Sequence, residues 1–261
     1  MPPKGTVGEY SWQIPEWEFV SRGMVQSVLR VLGAKESKRD YTLWFLFFRL
    51  GLRPGEAVQL TVGDVFDDEG QVRDVLRIRA EITKTKTARS IALPAEVRKQ
   101  LQRYQGWKRK ANKAGKRRHP GRMIDQEPTQ PFVCPACYDA GEDLPGCGVC
   151  SGTGWVDPPL FVSRERGRWG EPRGLTVDQV GKMAKALRKQ LDLPSWFTAH
   201  KGRHWLGTRL ANPDPERETA GNPVAAQRIL GHASLRTTMQ AYVKVTPEQQ
   251  REALRALDGV R

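Results

Sequence analysis

Apolar residues recur at spacings of three and four from Pro15 onward. Trp17, Val20, Met24, Val28 and Val31 predict one face of a helix, and Gly33 stops it. The next stretch, TLWFLFFRLGL, is apolar nearly all round and predicts a buried core helix ending near Gly51. Pro54 suits the first turn of a further helix, PGEAVQL. Arg53 therefore stands just past a buried helix end, where its stem is held and its head can face a cleft. VRDVLRIRAEI alternates apolar and polar residues, and RSIALP follows after a TKTKTA link. Residues 72–93 thus predict an antiparallel hairpin. Pro94 opens a strongly basic helix whose end is expected to fray into a charged linker. A short strand, PLFVS, a polar loop rich in Gly and Arg, and a helix at 176–191 with Thr176 as N-cap come next. The last third predicts helices at 200–211, 223–231, 235–243 and 247–257. The fold class is mainly α with a small antiparallel β-sheet (α+β).

Charge changes this picture. The formal net charge is +14, and residues 108–122 alone hold eight Lys or Arg. Such a field attracts polyanions through phosphate contacts and counterion release; a solvated basic surface is the plainer reading. No apolar run is long enough to span a bilayer, and the N-terminal MPPKGTVGEYSW lacks a signal-peptide core. These features predict a cytoplasmic, DNA-associated protein without a membrane partner.

All four cysteines lie between positions 134 and 150, which argues against a disulfide scaffold spread over the fold. The spacing Cys134-x2-Cys137-x9-Cys147-x2-Cys150 fits one tetrahedral Zn²⁺ held by four thiolates. A closed four-thiolate site leaves no open position, so the metal is expected to be structural. The second knuckle reads CGVCSGTG and resembles the CxxCxGxG repeat of chaperone-type zinc domains.

Five dispersed residues carry the candidate chemistry: Arg53 in GLRPGEAVQL, His200 and Arg203 in TAHKGRHWL, His232 in RILGHASL and Tyr242 in TTMQAYVKV. Two arginines and two histidines suit a phosphate, because guanidinium forks match its oxygens. Tyr242, ten residues after His232, can supply a nucleophile. The set suggests covalent chemistry on a DNA backbone without a catalytic metal.

These boxes resemble those of the tyrosine recombinase and phage integrase family. LGLRPGEAVQLTVGDV is similar to its first arginine box, including Glu56 and Asp64. TAHKGRHWLGTRLA is similar to its His-x-x-Arg box, and LGHASLRTTMQAYVKV to its final His…Tyr box. Order and spacing agree across about 17–258. The resemblance implies that Arg53 and Arg203 grip the scissile phosphate and that Tyr242 forms a 3′-phosphotyrosyl intermediate. It implies that His232 donates to a non-bridging oxygen and that His200 assists proton transfer. It also implies a hairpin lysine that protonates the leaving 5′ oxygen. Lys84 is favoured by counting back from Arg89 and Leu93, and Lys86 is the alternative in a shorter turn. Glu56 is expected to fix a neighbouring basic side chain, and His204 to be structural. Two departures stand out. Gly202 replaces the family's usual leucine and is expected to loosen the helix start, and many relatives place the tyrosine one residue nearer the histidine.

The predicted organisation is a lead-in at 1–14, a catalytic domain in two parts (15–129 and 158–245), an inserted zinc module at 130–157 and a C-terminal helix at 246–261. Relatives usually carry an N-terminal DNA-clamping domain, so this chain alone is expected to bind DNA weakly. The insert could extend the DNA contact or bind a protein. In the family the C-terminal segment often docks on a neighbouring protomer, and a synaptic homo-tetramer on double-stranded DNA is implied. Competing readings are a type IB topoisomerase-like nicking and closing enzyme, and a catalytically silent DNA-binding protein.

Overall fold

The structure is a computed structural model that describes residues 20–35, 38–118, 132–141, 147, 150, 153–166, 172–213 and 220–243. Ser21 caps α1 (Arg22–Gly33) by accepting the Met24 N–H at 3.1 Å. The helix therefore starts later than its apolar period predicts. Its buried stripe is Val25, Val28 and Leu32, with Met24 and Val31 only partly covered. Trp17 lies outside the described residues.

The all-round apolar stretch forms α2 (Lys38–Leu50), with residues 42–48 all buried. Trp44 is its anchor. The indole stacks on Phe197 at 5.8 Å and meets Phe47 edge-on at 5.7 Å; each such pair adds about 0.5–1.5 kcal/mol beyond burial. The predicted PGEAVQL helix shrinks to one turn, α3 (Pro54–Ala57). Leu60 accounts for the difference, because its carbonyl accepts the Leu160 N–H at 2.8 Å and draws the chain into a strand-like path. Thr61 then caps α4 (Val62–Val65), with the Asp64 carboxylate accepting the Thr61 N–H.

The hairpin forms as expected but shorter. β1 (Val75–Ile78) pairs antiparallel with β2 (Arg89–Ala92), placing Val75 opposite Ala92 and Ile78 opposite Arg89. Residues 80–82 curl into a 3₁₀ turn. The Thr83 hydroxyl closes the tip by donating to the Ala80 carbonyl (2.9 Å) and accepting the Thr87 N–H (3.1 Å).

The basic helix, α5 (Ala95–Arg118), continues through residues expected to fray. Lys108, counted above with the surface cations, is buried. Its ammonium donates to the Leu160 carbonyl at 3.3 Å, beside the Tyr104 hydroxyl that donates to the same oxygen at 3.2 Å. The inserted segment contains β3 (Phe132–Val133), α6 (Pro135–Ala140) and β4 (Trp155–Val156), with β3 and β4 antiparallel. Its exit is bolted to α4. Gly63 N–H donates to Asp157 Oδ1 at 3.0 Å, and Val62 N–H to the Pro158 carbonyl at 2.9 Å.

A further correction follows the insert. Instead of one strand and a loop, β5 (Val162–Arg166) and β6 (Pro172–Gly174) form a second hairpin. Thr176 caps α7 (Val177–Leu191) as predicted. α8 (His200–Ala211), α9 (Pro223–Leu230) and α10 (Leu235–Tyr242) agree with the sequence pattern to within a residue. The result is mainly α with three two-stranded antiparallel sheets among the described residues. The predicted 247–257 helix lies outside them. No described helix is long and apolar enough to cross a membrane.

α1, α5 and α8 enclose α2, which explains why α2 is apolar on every side. Gly202 makes the α2–α8 approach possible. A β-carbon there would lie 3.0 Å from Phe47 Cβ and 3.1 Å from its carbonyl carbon and oxygen. The missing side chain thus lets the two helices approach closely, a role in the α2–α8 contact that the sequence did not show. Gly202→Ala is expected to destabilise the fold by about 1–3 kcal/mol through overpacking. Urea unfolding monitored by circular dichroism reads this, and a neutral substitution would refute the tight approach.

Candidate active site

Glu56 is the hub of the cleft. Its carboxylate is 1% exposed. Arg89 reaches it bidentately, NH1 to Oε1 and NH2 to Oε2, both at 2.8 Å. Arg53 adds its backbone N–H to Oε2 and its NH1 to Oε1, both at 2.9 Å. Burial alone would push this carboxyl up, but hydrogen bonds and charge from Arg89, reinforced by Arg53, bring it below the usual range. The sequence reading of Glu56 as a holder of basic side chains fits this geometry. The same network reaches α9, because Arg89 Nε donates to the Ile229 carbonyl at 3.1 Å. Arg89 was missed as a site residue. Its signal was its place opposite Ile78 at the start of β2, where an inward-facing arginine needs a buried anion.

Arg203 is held differently. Its side chain is fully buried at the start of α8, where NH1 donates to the Gly51 carbonyl at 2.9 Å and NH2 to the Leu230 carbonyl. Two carbonyls cannot neutralise a guanidinium. Burial first, then the nearby Arg53 charge, lower its pKa to about 10, so it remains cationic at neutral pH. Of its five N–H donors, some stay available for an anion. The Arg53 guanidinium is part-exposed beside it.

Tyr242, at the end of α10, is 4% exposed. His232 stacks on its ring at 5.6 Å and 11°, and His204 meets it edge-on at 5.6 Å. His200 continues the series against His204 at 5.1 Å. Burial raises the pKa of the phenol, while the charges of Arg203 and then Arg53 oppose the rise. Gly207 makes room for the ring. A β-carbon on it would lie 2.7–2.9 Å from three ring carbons. Sequence reasoning missed Gly207, because the ring that fills its space is 35 residues away along the chain.

Burial and nearby charge disfavour the protonated form of the three histidines in the cleft. Burial, then the Arg203 charge, holds His200 below its ordinary value. His232 is lowered to about 4 by burial and then by Arg203, Arg53 and Arg89. His204 falls to about 4 through burial and then His200, and its buried Nδ1 has no hydrogen-bond partner. His232 Nδ1 pairs with the Thr238 hydroxyl at 2.8 Å. If the hydroxyl donates, Nε2 carries the imidazole proton and can donate to an anion.

Arg53, His200, Arg203, His232 and Tyr242 therefore converge. Lys84 and Lys86 sit exposed at the hairpin tip, where Lys86 Nζ donates to the Glu81 carbonyl at 3.2 Å. Lys86 has a left-handed backbone, φ 52°.

The cysteines form a second cluster. Their four sulfurs lie within 4.8 Å of one another and all four residues are buried, with no disulfide among them. Cys134 Sγ lies 3.7 Å from Cys147 Sγ, and Cys137 Sγ 3.5 Å from Cys150 Sγ. A tetrahedral site with 2.3 Å metal–sulfur bonds has edges of about 3.8 Å. The donor set thus fits a tetrahedral metal ion.

Residues 22–249 match the sequence model of the Phage integrase family. Among solved structures, the chain is similar to the Tn1549 transposon integrase in complex with a circular intermediate DNA. Identity is 21% over 92% of this chain and 65% of that one, with a TM-score of 0.58. XerA recombinase is 18% identical over 93% of this chain and 65% of that one, TM-score 0.54. XerH site-specific recombinase bound to its difH substrate is 16% identical over 90% and 53%, TM-score 0.53. At these identities the likeness establishes the fold. The chain spans 65% of the length of the transposon integrase chain it matches. No curated protein is similar enough in sequence to match.

The histidine cluster generates a pH prediction. His204 and His232 ionise near 4 when folded and near 6.5 when unfolded. Between those values the unfolded chain binds more protons, so stability is full above about 6.5 and is lost as pH falls towards 4. Urea unfolding across pH 4–7.5 should show this slope, and His204→Gln should flatten part of it. An unchanged slope would remove His204 as a contributor.

Proposed function

The chain belongs to the phage integrase family, and from that premise we propose that it is a site-specific DNA recombinase. In this reading it cleaves and rejoins strands of double-stranded DNA through a 3′-phosphotyrosyl intermediate. The observation that carries the reading is the setting of Tyr242, buried with its ring between His232 and His204 and subject to the charges of Arg203 and Arg53.

The phosphate sits between Arg53 and Arg203, whose donors hold its non-bridging oxygens. Arg53 is aimed by Glu56 and Arg203 by the Gly51 and Leu230 carbonyls, so neither must reorganise when charge grows on the pentacovalent transition state. His232 supplies a third donor through Nε2, with the Thr238 hydroxyl fixing the tautomer. Tyr242 Oη attacks phosphorus and its proton passes to neutral His200. The P–O5′ bond breaks, and the leaving 5′ oxygen takes a proton from a hairpin lysine, Lys84 or alternatively Lys86. A 5′ hydroxyl then reverses the steps and restores the phosphodiester. No step uses a metal. Exchange between two duplexes needs four cleavages, which is consistent with four copies acting together on two sites.

The cysteine cluster would hold structural Zn²⁺ through Cys134, Cys137, Cys147 and Cys150. Zinc there cross-links two short chain segments and leaves no open coordination position.

A suicide substrate nicked near the crossover should yield a covalent protein–DNA adduct with the wild-type chain and none with Tyr242→Phe. No adduct on any candidate site, cognate site included, would favour a silent DNA binder. The same assay separates the lysines. A substrate with sulfur replacing the 5′ oxygen needs no acid to leave, so it should restore cleavage to the lysine variant (Lys84→Ala or Lys86→Ala) that lost the acid. Rescue of neither variant would place the acid elsewhere.

Metal analysis should find one zinc per chain, lost in Cys147→Ser. Chelation should unfold the insert without stopping cleavage while the catalytic fold stays intact. Loss of chemistry in an intact fold would overturn the metal-free mechanism.

A further inference from the structure

Gln100, Arg103, Trp107 and Lys110 follow one another on α5 at spacings of three and four, so they form one stripe along the helix. That stripe and the start of α2 border a cavity of about 620 Å³. Tyr41 and Lys38 supply the α2 side. Tyr41 stacks on Phe45, and Trp107 on Tyr104, each at 5.9 Å. Both rings are thus backed by the core, yet each is only partly buried. The cavity is remote from the catalytic cleft. Tyr41 precedes the end of α2 by about 14 Å of helix, and Arg53 follows that end.

The charged groups around it are of one sign. Lys38, Arg103 and Lys110 border the cavity, and no acid is among the described residues that do. Lys38 is held in place, because its ammonium donates to the Gly33 and Lys35 carbonyls at 2.8 and 2.9 Å. Arg103 and Lys110 are exposed and make no hydrogen bond or ion pair among the described residues. Gln100 is buried on the wall. Its amide nitrogen donates to the Thr42 hydroxyl at 2.9 Å, which leaves its amide oxygen as an acceptor. The volume falls in the range of small-molecule sites, about 300–1,000 Å³, and is far larger than a lone phosphate needs. Aromatic walls suit a planar base, and clustered cations suit its phosphates.

We propose that the cavity between α2 and α5 binds a purine nucleotide. The base lies against Tyr41 and Trp107, with an exocyclic amino group donating to the Gln100 amide oxygen. The phosphates meet Lys38, Arg103 and Lys110. The nucleotide is either free or the end of a DNA strand, since both present the same base and phosphate. The site shares no residue with the catalytic cleft, so its occupancy does not depend on the strand-exchange chemistry.

Isothermal titration calorimetry of the full chain with ATP at physiological salt tests it. Saturable binding is expected, with adenosine and tripolyphosphate each about ten-fold weaker or more, because each satisfies only part of the site. Arg103→Ala with Lys110→Ala should weaken ATP about ten-fold or more, and both side chains are exposed, so the fold is spared. Gly106→Leu fills the cavity from α5, where a β-carbon would meet nothing within 4 Å. Leucine is also the better helix former, so ATP binding should fall as far with circular dichroism unchanged. A single-stranded oligonucleotide with a 5′-phosphorylated terminal adenosine identifies the source. If Gly106→Leu removes its binding, tighter binding than ATP assigns the site to a strand end, and weaker binding assigns it to the free nucleotide. No binding of ATP at millimolar concentration would overturn the proposal. So would tripolyphosphate that binds as tightly as ATP, or ATP binding that survives both variants, which would place it in the catalytic cleft.

Discussion

One buried carboxylate organises this molecule. Glu56 accepts four N–H groups from two arginines, and through them it ties the turn after α2 to the β1–β2 hairpin and to α9. Removing either partner would leave charge in a dry place, which costs several kcal/mol. The network is therefore all or nothing. It fixes where Arg53 points, and it brings the last helices within reach of a residue about 150 positions earlier.

The same packing shapes the electrostatics. Burial first, and then the positive charges around the cleft, disfavour the protonated form of the three nearby histidines. A bound phosphate would relieve that field and favour protonation of the groups that face it. Tyr242 feels opposing influences, burial against the arginine charges. The cleft is thus built to be completed by an anion, with a neutral base and a buried phenol already in place.

The insert follows other rules. Its four cysteine sulfurs lie within 4.8 Å of one another, and it is joined to the rest at Asp157 and Pro158, against α4. Its exposed aromatics, Tyr138 and Trp155, set it apart from the rest of the described chain.

Residue types and their periods determined the helices, the hairpin and the four-cysteine spacing, since these depend on local spacing and on what each group can do, while the five site residues were legible through the boxes that resemble the family's. Thr176 as a cap and α2 as a core helix were legible for that reason. Tertiary structure decided what depends on distant neighbours. It shortened PGEAVQL, because Leu60 pairs with Leu160. It buried Lys108 under a carbonyl 52 residues away. It turned Gly202 into a close-contact point on Phe47 and Gly207 into the space for Tyr242. It also assigned Arg89 to Glu56. Sequence spacing reports which groups share an element, but the volume and charge that each group meets are set by chain segments far away in sequence.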